Sequence, residues 1–248
     1  MTIPTGTPPT ERPTWLRSGL WIGGFVAFLY VVEIVDRILP ANFENAGIEP
    51  RTGDGLWGIL FAPILHGDWT HLTANTVPAL VLGFLVLLSS GITRGIAATV
   101  VIWVVAGVGT WLFAGSGENH IGASSLIFGW LTYLIIRGIF TRKGGQIVLG
   151  LVVLFVYGGM LWGVLPSDPF VSWQGHLFGA IGGVVAAWLV SSDARRARTS
   201  EQPIRCAELS DRRHVRTGCG SVRHSIVVIV SPPRKRVLTS SGLFGMAA

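Results

Sequence analysis

Charge is what this chain most lacks. Asp, Glu, Lys and Arg make up 13% of its 248 residues, where a soluble domain carries about a quarter. That shortage excludes an ordinary water-facing surface and points to lipid as the solvent. Cysteine occurs only as Cys206 and Cys219, near the C-terminal end, so neither a disulfide framework nor a thiolate metal site is expected. The HExxH spacing of a zinc hydrolase is missing, and no carboxylate reads at the depth of His66 and His71, which argues against a metal. Internal repeats and matching broken-helix pairs, the marks of a small transporter, are also missing.

The charge that is present is unevenly placed. From Asp193 onward there are 11 Lys/Arg and 4 Asp/Glu, a balance of +7, while residues 1–192 hold 8 and 9, a balance of −1. The basic character therefore belongs to a tail, and a nucleic-acid surface on the body is not expected. Half of the residues are hydrophobic, and 10 Trp and 33 Gly are present. Trp gathers at membrane interfaces, and Gly lets membrane helices approach closely.

Six apolar runs approach the ~20 residues needed to cross a bilayer as a helix. They fall at about 18–38, 70–90, 95–115, 122–140, 146–166 and 173–192. The first is too long for a typical signal peptide and reads as a retained span. Residues 1–17 read as a flexible cytoplasmic lead, 18–192 as the membrane body, and 193–248 as a basic, disordered cytoplasmic tail. Arg12, Arg17, Arg94, Arg137, Arg142, Lys143 and the arginines after the sixth span all fall on one side. The positive-inside rule makes that side cytoplasmic, with both termini there. The outer loop at about 39–69 is long enough to hold structure of its own.

Polar residues inside such spans are costly and tend to be functional. The second span opens with His71-Leu-Thr-Ala-Asn75, the fourth with Gly122-Ala-Ser124-Ser125, and the sixth with Gln174-Gly175-His176. Even-numbered spans all start at the outer face, so these residues share one depth. A serine hydroxyl needs a base to become a nucleophile, and histidine is the usual one. Ser124 lies in the first turn of its helix, where backbone N–H groups lack intrahelical partners and suit a developing oxyanion. His71 and Asn75 are four apart and share a helix face, so the Asn75 amide can serve the same oxyanion. Phe128, one turn below Ser124, is placed to support the His176 ring. Taken singly, a serine bonded back to a carbonyl, a structural interfacial histidine or a packing glycine is the plainer reading; Gly175, Gly179 and Gly183 are read as packing.

The combination resembles the rhomboid proteases. His66-Gly-Asp-Trp-Thr-His71-Leu-Thr-Ala-Asn75 resembles their HxxxN element, Gly122-Ala-Ser124-Ser125 their GxSG motif, and Gly175-His176-Leu-Phe-Gly179-Ala-Ile-Gly-Gly183 their AHxxGxxxG motif. Gly47-Ile-Glu-Pro-Arg51 is similar to actinobacterial members. The resemblance covers about residues 18–192. It implies an all-α, six-helix rhomboid fold in a bacterial plasma membrane and an intramembrane serine endopeptidase that cuts membrane-protein substrates. It also implies a Ser124–His176 dyad, an oxyanion hole of His71, Asn75 and the Ser124 N–H, supporting roles for Gly122 and Phe128, and no metal or other cofactor. The implied partners are transmembrane substrates and the bilayer, with no nucleic acid. The alternative is an inactive rhomboid-like protein that binds membrane clients. Three motif positions depart from the pattern: Ser125 stands for glycine, Gly175 for alanine, and Phe128 for a frequent tyrosine. Gly58 stands for the arginine of a Trp-Arg pair, which brings the firmness of the outer loop into question.

Overall fold

The computed structural model describes residues 12–39, 42–166 and 171–191. The tail expected from 193 onward, and most of the lead, lie outside the described residues. In lipid a backbone must satisfy its own hydrogen bonds, so each apolar run becomes a helix. Among the described residues seven α-helices form: α1 (Thr14–Ile38), α2 (Gly53–Phe61), α3 (Trp69–Ser90), α4 (Ile92–Phe113), α5 (Ser124–Thr141), α6 (Gly144–Tyr157) and α7 (Trp173–Ser191). All but α2 are membrane spans, α6 being completed by a 3-10 stretch, Gly158–Val164. The six apolar runs thus match the six spans to within four residues at each end. The first helix starts at Thr14, so it takes in residues that read as lead. No strand forms among the described residues; one isolated bridge joins Ile48 to His120.

Helix α5 is the centre. It packs against α3, α4 and α6 and, through Gly179 and Gly183 of α7, against the last span. A Cβ at Gly183 would overlap Thr132 Oγ1 and the Gly129 carbonyl, and one at Gly179 would overlap the Ser125 carbonyl. The motif glycines therefore bring the backbone of α7 into contact with that of α5. The core between the helices holds Leu82, Ile102, Leu126, Leu131 and Tyr133, all fully buried. The polar atoms of its two large aromatic side chains are paired, since a lone one would be costly: Tyr133 Oη lies 3.0 Å from Ser90 Oγ, and Trp130 Nε1 donates to Thr99 Oγ1 at 2.9 Å. The α6 span is the least buried of the six, while α5 and α7 are the most.

The outer loop is folded against α4. Trp103 Nε1 donates to the Ile59 carbonyl at 2.6 Å, and Trp111 Nε1 to the Thr52 carbonyl at 2.9 Å. The Arg51 guanidinium reaches the Leu112 carbonyl (3.2 Å), the Ala114 carbonyl (2.7 Å) and Ser116 Oγ (2.6 Å), so it closes the C-terminal end of α4. A Cβ at Gly58 would overlap the Gly47 carbonyl. The residue that departs from the Trp-Arg pattern is thus the one that lets the loop pack on itself, and Arg51 supplies an anchoring guanidinium.

Candidate active site

Asp68 begins α3: its carboxylate accepts the His71 N–H at 2.7 Å, and that bond first of all holds its carboxyl below the usual carboxylate range. The cap sets the first turn so that His71 and Asn75 stand on one face. Asn75 is 7% exposed, and its Nδ2 has no hydrogen-bond partner among the described residues. A buried amide donor left open is expensive, and here it lines an open cavity of about 980 Å³ together with His71, Ser124, Phe128 and His176. The residues singled out on three separate spans are thus brought to one space.

Ser124 is the first residue of α5. The turn before it depends on Gly122, whose φ of +114° is one that other residues rarely adopt. A Cβ there would also stand 2.7 Å from the His71 Cε1 and Nε2 atoms and 3.7 Å from Ser124 Oγ, so Gly122 leaves the His71 ring and the serine hydroxyl their room. The Gly122 N–H donates to the Ala62 carbonyl at 2.8 Å, and the Ala123 N–H reaches His66 Nε2 at 3.4 Å. No acceptor takes the Ser124 N–H among the described residues. His66 must be neutral to accept through Nε2. Burial, aided by the His71 ring 5.1 Å away, pushes its pKa down to about 4.

His176 is held from two sides. Its ring stacks on Phe128 at 4.0 Å with an interplanar angle of 8°, and its Nδ1–H donates to the Gly163 carbonyl at 2.9 Å. That bond fixes the tautomer and leaves Nε2 as the basic nitrogen. No hydrogen bond joins Ser124 Oγ to His176 among the described residues; loose pairs of this kind are common before substrate binds. Chemically, the arrangement can take a proton from a serine and offer up to three donors to a developing oxyanion.

Two features escaped the sequence. Gly163 belongs to no motif; it lies in the 3-10 stretch that ends the fifth span, and its carbonyl is the one that meets His176. Glu33 of α1 is 1% exposed and lies 2.9 Å from Arg37 Nε, with Arg37 also donating to the Gly67 carbonyl just before α3. A carboxylate is therefore buried in the half of α1 that lies toward the start of α3, contrary to the expectation that none lies at that depth. Its i,i+4 arginine is the signal that could have revealed it.

The model of the Rhomboid domain family matches residues 53–193. An uncharacterized protein of Mycobacterium tuberculosis is 51% identical over 212 residues, covering 80% of this chain and 88% of its own length. An uncharacterized protein of Mycobacterium leprae is 47% identical over 204 residues, covering 79% and 80%.

Proposed function

The chain belongs to the rhomboid family, and from that premise we propose that it is a serine endopeptidase cutting transmembrane segments of membrane proteins with a Ser124–His176 dyad. The observation that carries the reading is the commitment of His176 Nδ1 to the Gly163 carbonyl, with the ring clamped on Phe128. A base held this way has one free nitrogen at a fixed height, in the same cavity as the Ser124 hydroxyl.

In the proposed reaction Ser124 Oγ attacks the scissile carbonyl while His176 Nε2 takes the hydroxyl proton. The negative oxygen meets the Asn75 amide, the His71 ring and the Ser124 N–H, donors already in place that need no reorganisation. His176 then gives its proton to the leaving amine, the peptide bond breaks, and an acyl-serine remains. Water, deprotonated by the same histidine, hydrolyses that ester and restores the dyad. The site opens at the face where α3, α5 and α7 begin. We place that face outside the cell membrane, with both termini in the cytoplasm, because Arg94, Arg137, Arg142 and Lys143 all stand at the opposite ends of the spans.

The test is cleavage of a model transmembrane substrate by the purified protein in detergent. Ser124→Ala is expected to abolish cleavage with the thermal midpoint unchanged. Retained cleavage by Ser124→Ala removes the dyad, and a wild-type protein that binds but never cuts favours the client-binding alternative.

A further inference from the structure

We propose that His120, acting through Ser172, is a positioning residue that fixes the first turn of α7 and with it the ring of His176. The inference rests on the reading of His176 as the base.

His120 is anchored first by its own backbone. Its N–H donates to the Ile48 carbonyl at 3.1 Å, and its carbonyl accepts the Ile48 N–H at 3.0 Å, which ties the α4–α5 loop to the outer loop. From that fixed point the ring, 7% exposed, turns toward the start of α7. Its Nδ1 lies 2.8 Å from Ser172 Oγ. Ser172 immediately precedes α7: its Oγ accepts the Gly175 N–H at 3.2 Å, and its carbonyl accepts the His176 N–H at 3.1 Å. The chain of contacts therefore ends on the two backbone amides at and next to the base.

The other side of the ring faces a carboxylate, at close range but without a formed hydrogen bond. His120 Nε2 stands 3.2 Å from a carboxylate oxygen of Glu118, approached obliquely. The same oxygen accepts Gln174 Nε2 at 3.1 Å and the Gly115 N–H at 3.3 Å. One short loop thus holds two side chains at the head of α7, Ser172 and Gln174, and reaches the helix amides through the first.

The hydrogen-bond directions are consistent only one way. Ser172 Oγ is an acceptor toward Gly175, so its own proton is free to go to His120 Nδ1. That requires an unprotonated Nδ1, with the ring proton on Nε2 beside the carboxylate. Burial favours the neutral ring by pushing its pKa below the ordinary value, against a smaller opposing pull from Glu118. Carboxylate, imidazole and hydroxyl stand in the order of a hydrolase triad, yet here the hydroxyl is the cap of a helix, so the structure assigns the set a holding role. The restraints already described on His176 act on its ring; this one acts on its backbone. Displacing a base by about 1 Å costs on the order of 100-fold in rate.

The experiment uses the full-length protein in detergent with a model transmembrane substrate, and hydrogen exchange at residues 175–176. His120→Ala is expected to lower kcat by about 10- to 100-fold with KM within about 2-fold, and to speed exchange at both amides. His120→Asn, whose Oδ1 can accept from Ser172 at the place of Nδ1, should recover most of both. Ser172→Ala removes the same link from the other side and must reproduce the loss even if His120→Ala fails to fold. Wild-type kcat and exchange in His120→Ala would overturn the proposal, as would a change in KM alone or equal loss in the Ala and Asn variants. Labelling of Ser172 by a fluorophosphonate in Ser124→Ala would also overturn it, because the hydroxyl would then be a nucleophile. Exchange reads the tether without activity. A wild-type protein that cuts nothing removes the dyad, while faster exchange in His120→Ala still upholds the tether.

Discussion

Asn75 carries a buried amide that donates to nothing among the described residues, and a folded protein keeps such a group only where something else offsets its cost. If the offset is the oxyanion of the proposed reaction, Asn75→Ala should lower kcat by about 10- to 1,000-fold with little change in KM. Steady-state cleavage kinetics check this, and an unchanged rate takes Asn75 out of the oxyanion hole. His66 makes a different prediction. Its pKa is depressed from 6.5 to about 4, so the folded state resists a proton that the unfolded state accepts. Above pH 6.5 the ring is neutral in both states and its contribution is intact. As pH falls from 6.5 through about 4 that contribution is lost, at a cost of about 3 kcal/mol. Thermal midpoints in detergent between pH 7 and pH 4 should therefore fall more for the wild type than for His66→Gln. Equal slopes would show that the His66–Ala123 contact is not the acid-sensitive one.

The helices turn these side chains into a site because α5 and α7 touch through glycine. Gly183→Ala puts a methyl group into Thr132 Oγ1 and the Gly129 carbonyl, where overpacking costs roughly 1–3 kcal/mol. It also moves the helix that carries His176. The expected result is a lower thermal midpoint together with a loss of cleavage. Gly24→Ala in α1 has open space around the new methyl group and should leave both unchanged or gain slightly in stability. If the two variants behaved alike, the close α5–α7 approach would not be what sets the geometry. At this level the sequence was readable because an apolar run of fixed length becomes a helix almost whatever its detail, and because small residues at four-residue spacing mark a close crossing. It was less readable where geometry changes within a run. Nothing in Gly158–Val164 announces a 3-10 stretch, yet that stretch delivers the carbonyl that orients His176. Nor could the folding of the outer loop be read, since Arg51 reaches residues 61–65 positions away.

The described residues form six spans, and a polar space lined by His71, Asn75, Ser124 and His176 lies at one face. Motifs at the starts of the second, fourth and sixth spans line one cavity, a meeting that motif spacing and loop charge together suggested. Buried polar groups between elements were harder to foresee. Glu33 and His120 belong to none of the motifs, and only the packing of the helices and loops buries them. The central proposal is that Ser124 is a nucleophile and not merely a helix-start serine. A fluorophosphonate probe tests this without any knowledge of a natural substrate. The account predicts that the wild-type protein is labelled at Ser124, that Ser124→Ala is not labelled, and that His176→Ala is labelled far more slowly. Absence of labelling in a folded wild-type protein, or equal labelling of Ser124→Ala, would contradict it.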